Sequence, residues 1–200
     1  MHLIRWPTGL PSMQTIMVWA SLPLVVLAFC WTVFCRRVLD RAGLKSIGLT
    51  VPSSFSLIGL GIGLIAVGVP VAVLLAGGLL RMKEGEAGGR TLLMLPVLAL
   101  AAFHEELVVR GYVLGNFQES DLSMPGLILT ALLFSLAHAV NPAFLSHPLP
   151  AFNIFLAGLA LGFAYLWRGN LWFPTALHFG WNVLQGPVLG MPISGLEMRG

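Results

Sequence analysis

The sequence predicts an all-α fold: a polytopic membrane bundle of about six transmembrane helices, some of them short or broken around a site within the bilayer. Three observations predict it. Of 200 residues, 57% are hydrophobic and only 10% are charged, with a mean hydropathy of +0.88, which leaves too few polar side chains to coat a soluble globule of this size. Apolar runs close to the ~20 residues needed to cross the hydrocarbon core recur along the chain. The few ionisable residues that interrupt these runs fall into short patterns, and such residues within a bilayer point to function by default.

The elements follow in order. Residues 1–11, with Arg5, Trp6 and two prolines, precede a first run over 13–35 that is too long for a signal-peptide core and lacks a small-residue cleavage site. It reads as a retained helix. A second run, 55–80, also spans outright, and a third, 91–116, has the length but carries His104, Glu105, Glu106 and Arg110 in its second half. Those four must face protein or water rather than lipid. The stretches 127–140, 151–167 and 172–189 are shorter, or interrupted by Pro174, Gly180 and Pro187, and need neighbouring helices to cover them.

The links cannot hold a soluble domain. Residues 36–54 are basic, 81–90 mixed in charge and Gly-rich, 118–125 acidic, and 141–150 hold His147 and three prolines. The chain therefore reads as one integral membrane domain over 1–200, with no internal repeat of the kind common in transporters. Its net charge of +3 and pI near 9.3 come from 11 Lys and Arg placed mostly between hydrophobic runs, where they anchor helices in the lipid bilayer. No nucleic-acid partner is expected. The first link holds four cations (Arg36, Arg37, Arg41, Lys45) against three in the second (Arg81, Lys83, Arg90), a slender vote for a cytoplasmic first link. Cys30 and Cys35 share the first run without a paired motif, so they read as apolar thiols rather than a disulfide.

Three patterns carry chemistry. In Glu105-Glu106-x-x-x-Arg110, Glu106 and Arg110 lie four residues apart and stack on one helix face, while Glu105 is rotated about 100° away. Arg110 can neutralise Glu106, leaving Glu105 as a base. Phe134-x-x-x-His138 closes a short helix before the Asn141-Pro142 stop signal, where a histidine also serves as a plain cap. His178 and Asn182 share a face by the same four-residue spacing, which interhelical hydrogen bonding alone would also satisfy.

Metal use stays open at this stage. His104-Glu105-Glu106-Leu107-Val108 begins like HExxH, but Val108 stands at the second ligand position, so the zincin signature fails. Glu105, His138 and His178 could converge on a divalent ion such as zinc, or could activate water without one. Ser135 lacks a Gly-x-Ser-x-Gly elbow, and Gly59, Gly61 and Gly63 read as small packing residues in a membrane helix rather than a phosphate loop.

These three ordered motifs, on successive membrane helices between about residues 91 and 189, resemble the CPBP family, the type II CAAX prenyl endopeptidases also known as Abi proteins. The resemblance implies an intramembrane hydrolase that cuts a membrane-associated protein substrate, by CAAX-type or other C-terminal tail processing. It implies that residues 91–190 are the catalytic core and 13–90 scaffold helices. Glu105 would be the general base on water, His138 would hold that water, and His178 with Asn182 would stabilise the oxyanion. Glu106 and Arg110, with Phe134, would support the site. The family carries both metalloprotease and glutamic-protease labels, so a divalent metal such as zinc and metal-independence both remain. The chain's size is nearer to small prokaryotic members, which implies a prokaryotic cytoplasmic membrane. Two other classes compete: a proton or ion carrier using a Glu/His relay, and a non-catalytic membrane protein of bacteriocin immunity or partner binding.

Overall fold

The computed structural model describes residues 13–81, 90–140, 144 and 147–193. Among the described residues, six longer α-helices carry the fold: α1 (Met13–Phe34), α2 (Phe55–Ala76), α3 (Arg90–Glu106), α4 (Ser123–Ala137), α5 (Pro148–Arg168) and α6 (Trp172–Val183). The predicted helical membrane bundle is thus the fold observed. Among the described residues, three stretches are long and apolar enough to cross a membrane: Leu22–Leu39, Phe55–Ala76 and Pro148–Arg168, with mean hydropathies of 1.8, 2.5 and 1.8. Large apolar side chains such as Leu24, Trp31, Leu57 and Ile65 stand exposed along α1 and α2, as a lipid-facing surface requires.

The third span departs from expectation. The run over 91–116 is not one α-helix: α3 gives way after Glu106 to a π-helix, Leu107–Leu114, and then to a short α-turn, Gly115–Glu119. Such insertions change which residues face a neighbour, and they recur at functional sites. A π-helix also ends α1 (Cys35–Leu39) and α6 (Leu184–Val188). In the latter Pro187 lacks the N–H that a continuing α-helix needs. The break in the last span therefore falls after Val183, not at Pro174 or Gly180.

α5 is longer than the sequence reading of 151–167. Pro148 and Pro150 lie in its first turn, where proline is tolerated, and the His147 side chain caps it by accepting from the Leu149 N–H at 3.2 Å. His147 is thus a capping residue. At the other end Gly169 adopts φ 62°, a left-handed conformation open to glycine at little cost.

Close backbone approaches set the helix rotations. α2 packs chiefly on α6, and α4 on α5. A Cβ on Gly59 would fall 2.6 Å from the Phe173 carbonyl oxygen, one on Gly63 would collide with that of Leu177, and one on Gly180 would lie 2.5 Å from that of Leu60. The expectation of small packing residues holds for Gly59 and Gly63. Gly61 has nothing within 4 Å. Between α4 and α5, a Cβ on Gly158 would sit 2.9 Å from the Ala131 Cα, and the Ser135 hydroxyl donates to the Ala151 carbonyl at 2.8 Å.

The first link is structured and tied to the bundle. Its 3₁₀ turn, Leu44–Ile47, buries Ile47 in a cluster with Leu107, Leu114, Leu127, Tyr165 and Leu171. The Leu171 N–H donates to the Gly48 carbonyl at 2.9 Å, and the Trp172 indole N–H donates to that of Thr50. Arg36, expected to anchor at the membrane edge, is instead 1% exposed. Its guanidinium donates to Ser46 at 2.8 Å and Asn116 at 3.0 Å, and pairs with Asp40 and Glu119. Cys35 beside it is buried too, while Cys30 is exposed.

Candidate active site

The polar centre of the bundle forms where the end of α3 meets α4, α5 and α6. Glu106 and Arg110 are both fully buried, and Arg110 Nη1 donates to Glu106 Oε1 at 2.9 Å. The expected i,i+4 pair is therefore present. Arg110 has a second anchor from a different helix, since its Nη2 donates to the Gly158 carbonyl at 3.1 Å. Gly158 suits this place because it has no Cβ to hold α5 away from α4.

His178 enters from α6, held by the α2 contacts one residue away at Leu177. Its Nδ1 lies 2.9 Å from Glu106 Oε1 and its Nε2 lies 3.9 Å from Glu105 Oε2. The two glutamates thus do not point apart as the helical projection suggested. They meet opposite nitrogens of one imidazole, the nearer as a hydrogen bond and the farther outside hydrogen-bond range.

Unmatched polar capacity marks this cluster. Glu105 Oε2, Glu106 Oε2 and Arg110 Nε are buried without a hydrogen-bond partner among the described residues. A buried oxygen in that state costs roughly 1–3 kcal/mol, so an arrangement that retains three such atoms together calls for an explanation. The Glu105 side chain as a whole remains 31% exposed, which leaves it open to small molecules that enter the cluster.

Phe134 organises the remaining members. The Arg110 guanidinium lies 4.3 Å over its ring, a favourable cation–π placement. The His178 ring meets it edge-on at 5.9 Å and the His138 ring is tilted against it at 4.8 Å. His138 Nδ1 lies 2.8 Å from the Phe134 carbonyl. A carbonyl only accepts, so Nδ1 carries the proton there and Nε2 is the nitrogen left available. Asn182 sits half-buried one turn beyond His178 on α6.

A metal fits this arrangement poorly. Among the described residues, no three His, Cys, Asp or Glu side chains come together as a ligand set, so Glu105, His138 and His178 do not form the triad that a bound zinc would need. What the arrangement offers is an unpartnered carboxylate oxygen beside an imidazole nitrogen, in a site largely screened from water.

A family model described as Type II CAAX prenyl endopeptidase Rce1-like matches residues 87–184. Residues 87–184 are an Rce1-like domain of the CPBP family. The Rce1-like domain contains every motif described above, from Glu105 to Asn182. It makes this a membrane protein of a protease family, and at that general level a hydrolase acting on peptide bonds within the membrane. Comparison with curated proteins and with solved structures returned no significant match.

Sequence reasoning had no access to the Glu106–His178 bond, which joins residues 72 apart, nor to the Gly158 carbonyl that anchors Arg110. One signal for the latter was present: Gly158 and Gly162 stand four residues apart, the same separation as Gly59 and Gly63 in α2.

Proposed function

We propose that this protein is a multi-pass endopeptidase of a prokaryotic cytoplasmic membrane. It hydrolyses a peptide bond in the C-terminal tail of a membrane-associated protein, CAAX-type or similar. The single observation that carries the mechanism is Glu105 Oε2: buried, unpartnered and facing His178 Nε2 across 3.9 Å.

Glu105 takes a proton from a water molecule as the water oxygen attacks the scissile carbonyl carbon. His138, with Nδ1 committed to the Phe134 carbonyl, offers Nε2 to hold that water. The carbonyl π pair moves to oxygen, and the Asn182 side-chain amide donates to the oxyanion from α6, while His178 Nε2 is placed to accept from the attacking water. Collapse of the intermediate breaks the C–N bond, and the proton held by Glu105 passes to the leaving amine. Every step runs through side chains of this chain.

The test compares host membranes carrying wild type or Glu105→Gln at matched levels, with peptide termini mapped by mass spectrometry. Termini found only with wild type, and lost again in His138→Ala, support the reading and name the substrates. Identical termini in all three membranes sink it. Proton flux into liposomes that stops in Glu105→Gln would favour the carrier instead.

A further inference from the structure

Glu106 does more in this site than pair with Arg110. Its Oε1 receives Arg110 Nη1 and also meets His178 Nδ1, each at 2.9 Å. Arg110 has its own second anchor on Gly158, so the ion pair needs no histidine to complete it. The histidine, in contrast, gains an orientation. A carboxylate oxygen that already receives a guanidinium N–H acts as an acceptor, so the proton of the facing imidazole nitrogen lies on Nδ1. Nε2 is then the nitrogen turned towards Glu105.

We infer that Glu106 is a positioning residue: it fixes the His178 ring as the Nδ1–H form and directs Nε2 to the reacting centre. The catalytic value of this role rests on the peptidase reading given above, but the tautomer does not. Carboxylates that hold a catalytic imidazole in one tautomer are known to govern turnover rather than binding. The arrangement also gives the fully buried pair a purpose that packing alone lacks, since buried ion pairs are commonly replaceable by apolar residues of similar volume at no loss of stability.

That replaceability supplies the test. Glu106→Leu combined with Arg110→Met removes both charges together and keeps the volume, whereas Glu106→Gln keeps an oxygen able to take the same two hydrogen bonds. Wild type and both variants, labelled with ¹⁵N-histidine in lipid bilayers, are examined by NMR for the ring nitrogen that carries the proton, with His178 assigned by loss of its signal in His178→Asn. The same preparations are assayed on a prenylated CAAX peptide. We expect wild-type His178 as a single Nδ1–H species, which becomes a mixture in the double variant. The double variant should lose kcat by about 10²- to 10⁴-fold at little changed KM, with Glu106→Gln retaining a larger share. A wild-type His178 protonated on Nε2 alone overturns the inference, as does a folded double variant with wild-type kcat. If the double variant does not fold, the wild-type and Glu106→Gln spectra decide. If wild type does not cleave the prenylated CAAX peptide, the CAAX-type substrate is what fails, and the wild-type spectrum still decides the tautomer.

Discussion

Among the described residues two arginines are buried, and they are buried differently. Arg36 is 1% exposed and Arg110 is 0% exposed. Arg36 is surrounded by Ser46, Asp40, Asn116 and Glu119, which tie the first link to the end of the third span. Around Arg110 the hydrogen bonding is incomplete: its own Nε, one oxygen of its partner Glu106 and one oxygen of neighbouring Glu105 are all unpartnered. A structural cluster approaches saturation because each unmatched buried group destabilises the fold. A site that must engage another molecule keeps capacity free, and three unpartnered atoms gather around Arg110 where none lies around Arg36.

The sharpest way to break the contrast is at Glu105. Glu105→Gln should lower kcat by about 10²- to 10⁴-fold with the melting temperature unchanged, read by peptide cleavage and by thermal unfolding of the purified protein. Asn182→Ala comes next, with a loss of about 10²- to 10³-fold in kcat and no unfolding. Cleavage as fast as wild type would remove it from the oxyanion site.

Changes on the scaffold side should register as stability instead. Arg36→Met is expected to cost about 1.5–3 kcal/mol in denaturant titrations while cleavage persists, because its partners lose a charged donor. Gly63→Ala should cost about 1–3 kcal/mol by forcing α2 off α6, whereas Gly61→Ala, with open space around it, should stay within about 0.5 kcal/mol of wild type. The smallest effect belongs to Ser135→Ala, a loss of about 1 kcal/mol for one hydrogen bond to Ala151. An inactive but folded Ser135→Ala would mean that Ser135 takes part in the chemistry.

Much of the fold was legible because lipid leaves few choices. Apolar runs must be helices, and a charged residue within one must face protein. The pairing of Glu106 with Arg110 was legible for a similar reason, since four residues along a helix bring side chains together whatever lies around them. Less legible was the π-helix after Glu106, which no apolar periodicity announces. The reach of α5 back to Pro148 was also missed, because prolines in a first turn look like loop residues until the helix behind them is seen. Arg36 was misread for want of its distant partners, Asn116 and Glu119.

By itself, the sequence determined that the chain folds as apolar helices suited to a membrane, and which short polar patterns interrupt them. These properties depend on hydropathy and on spacings within one helix. Only the tertiary structure decided that both glutamates meet one imidazole, that Arg110 leans on Gly158, and that Phe134 stands between two histidines. Those contacts depend on how each helix is rotated about its axis. That rotation is set by backbone approaches at Gly59, Gly63, Gly158 and Gly180, where a single Cβ would push the helices apart.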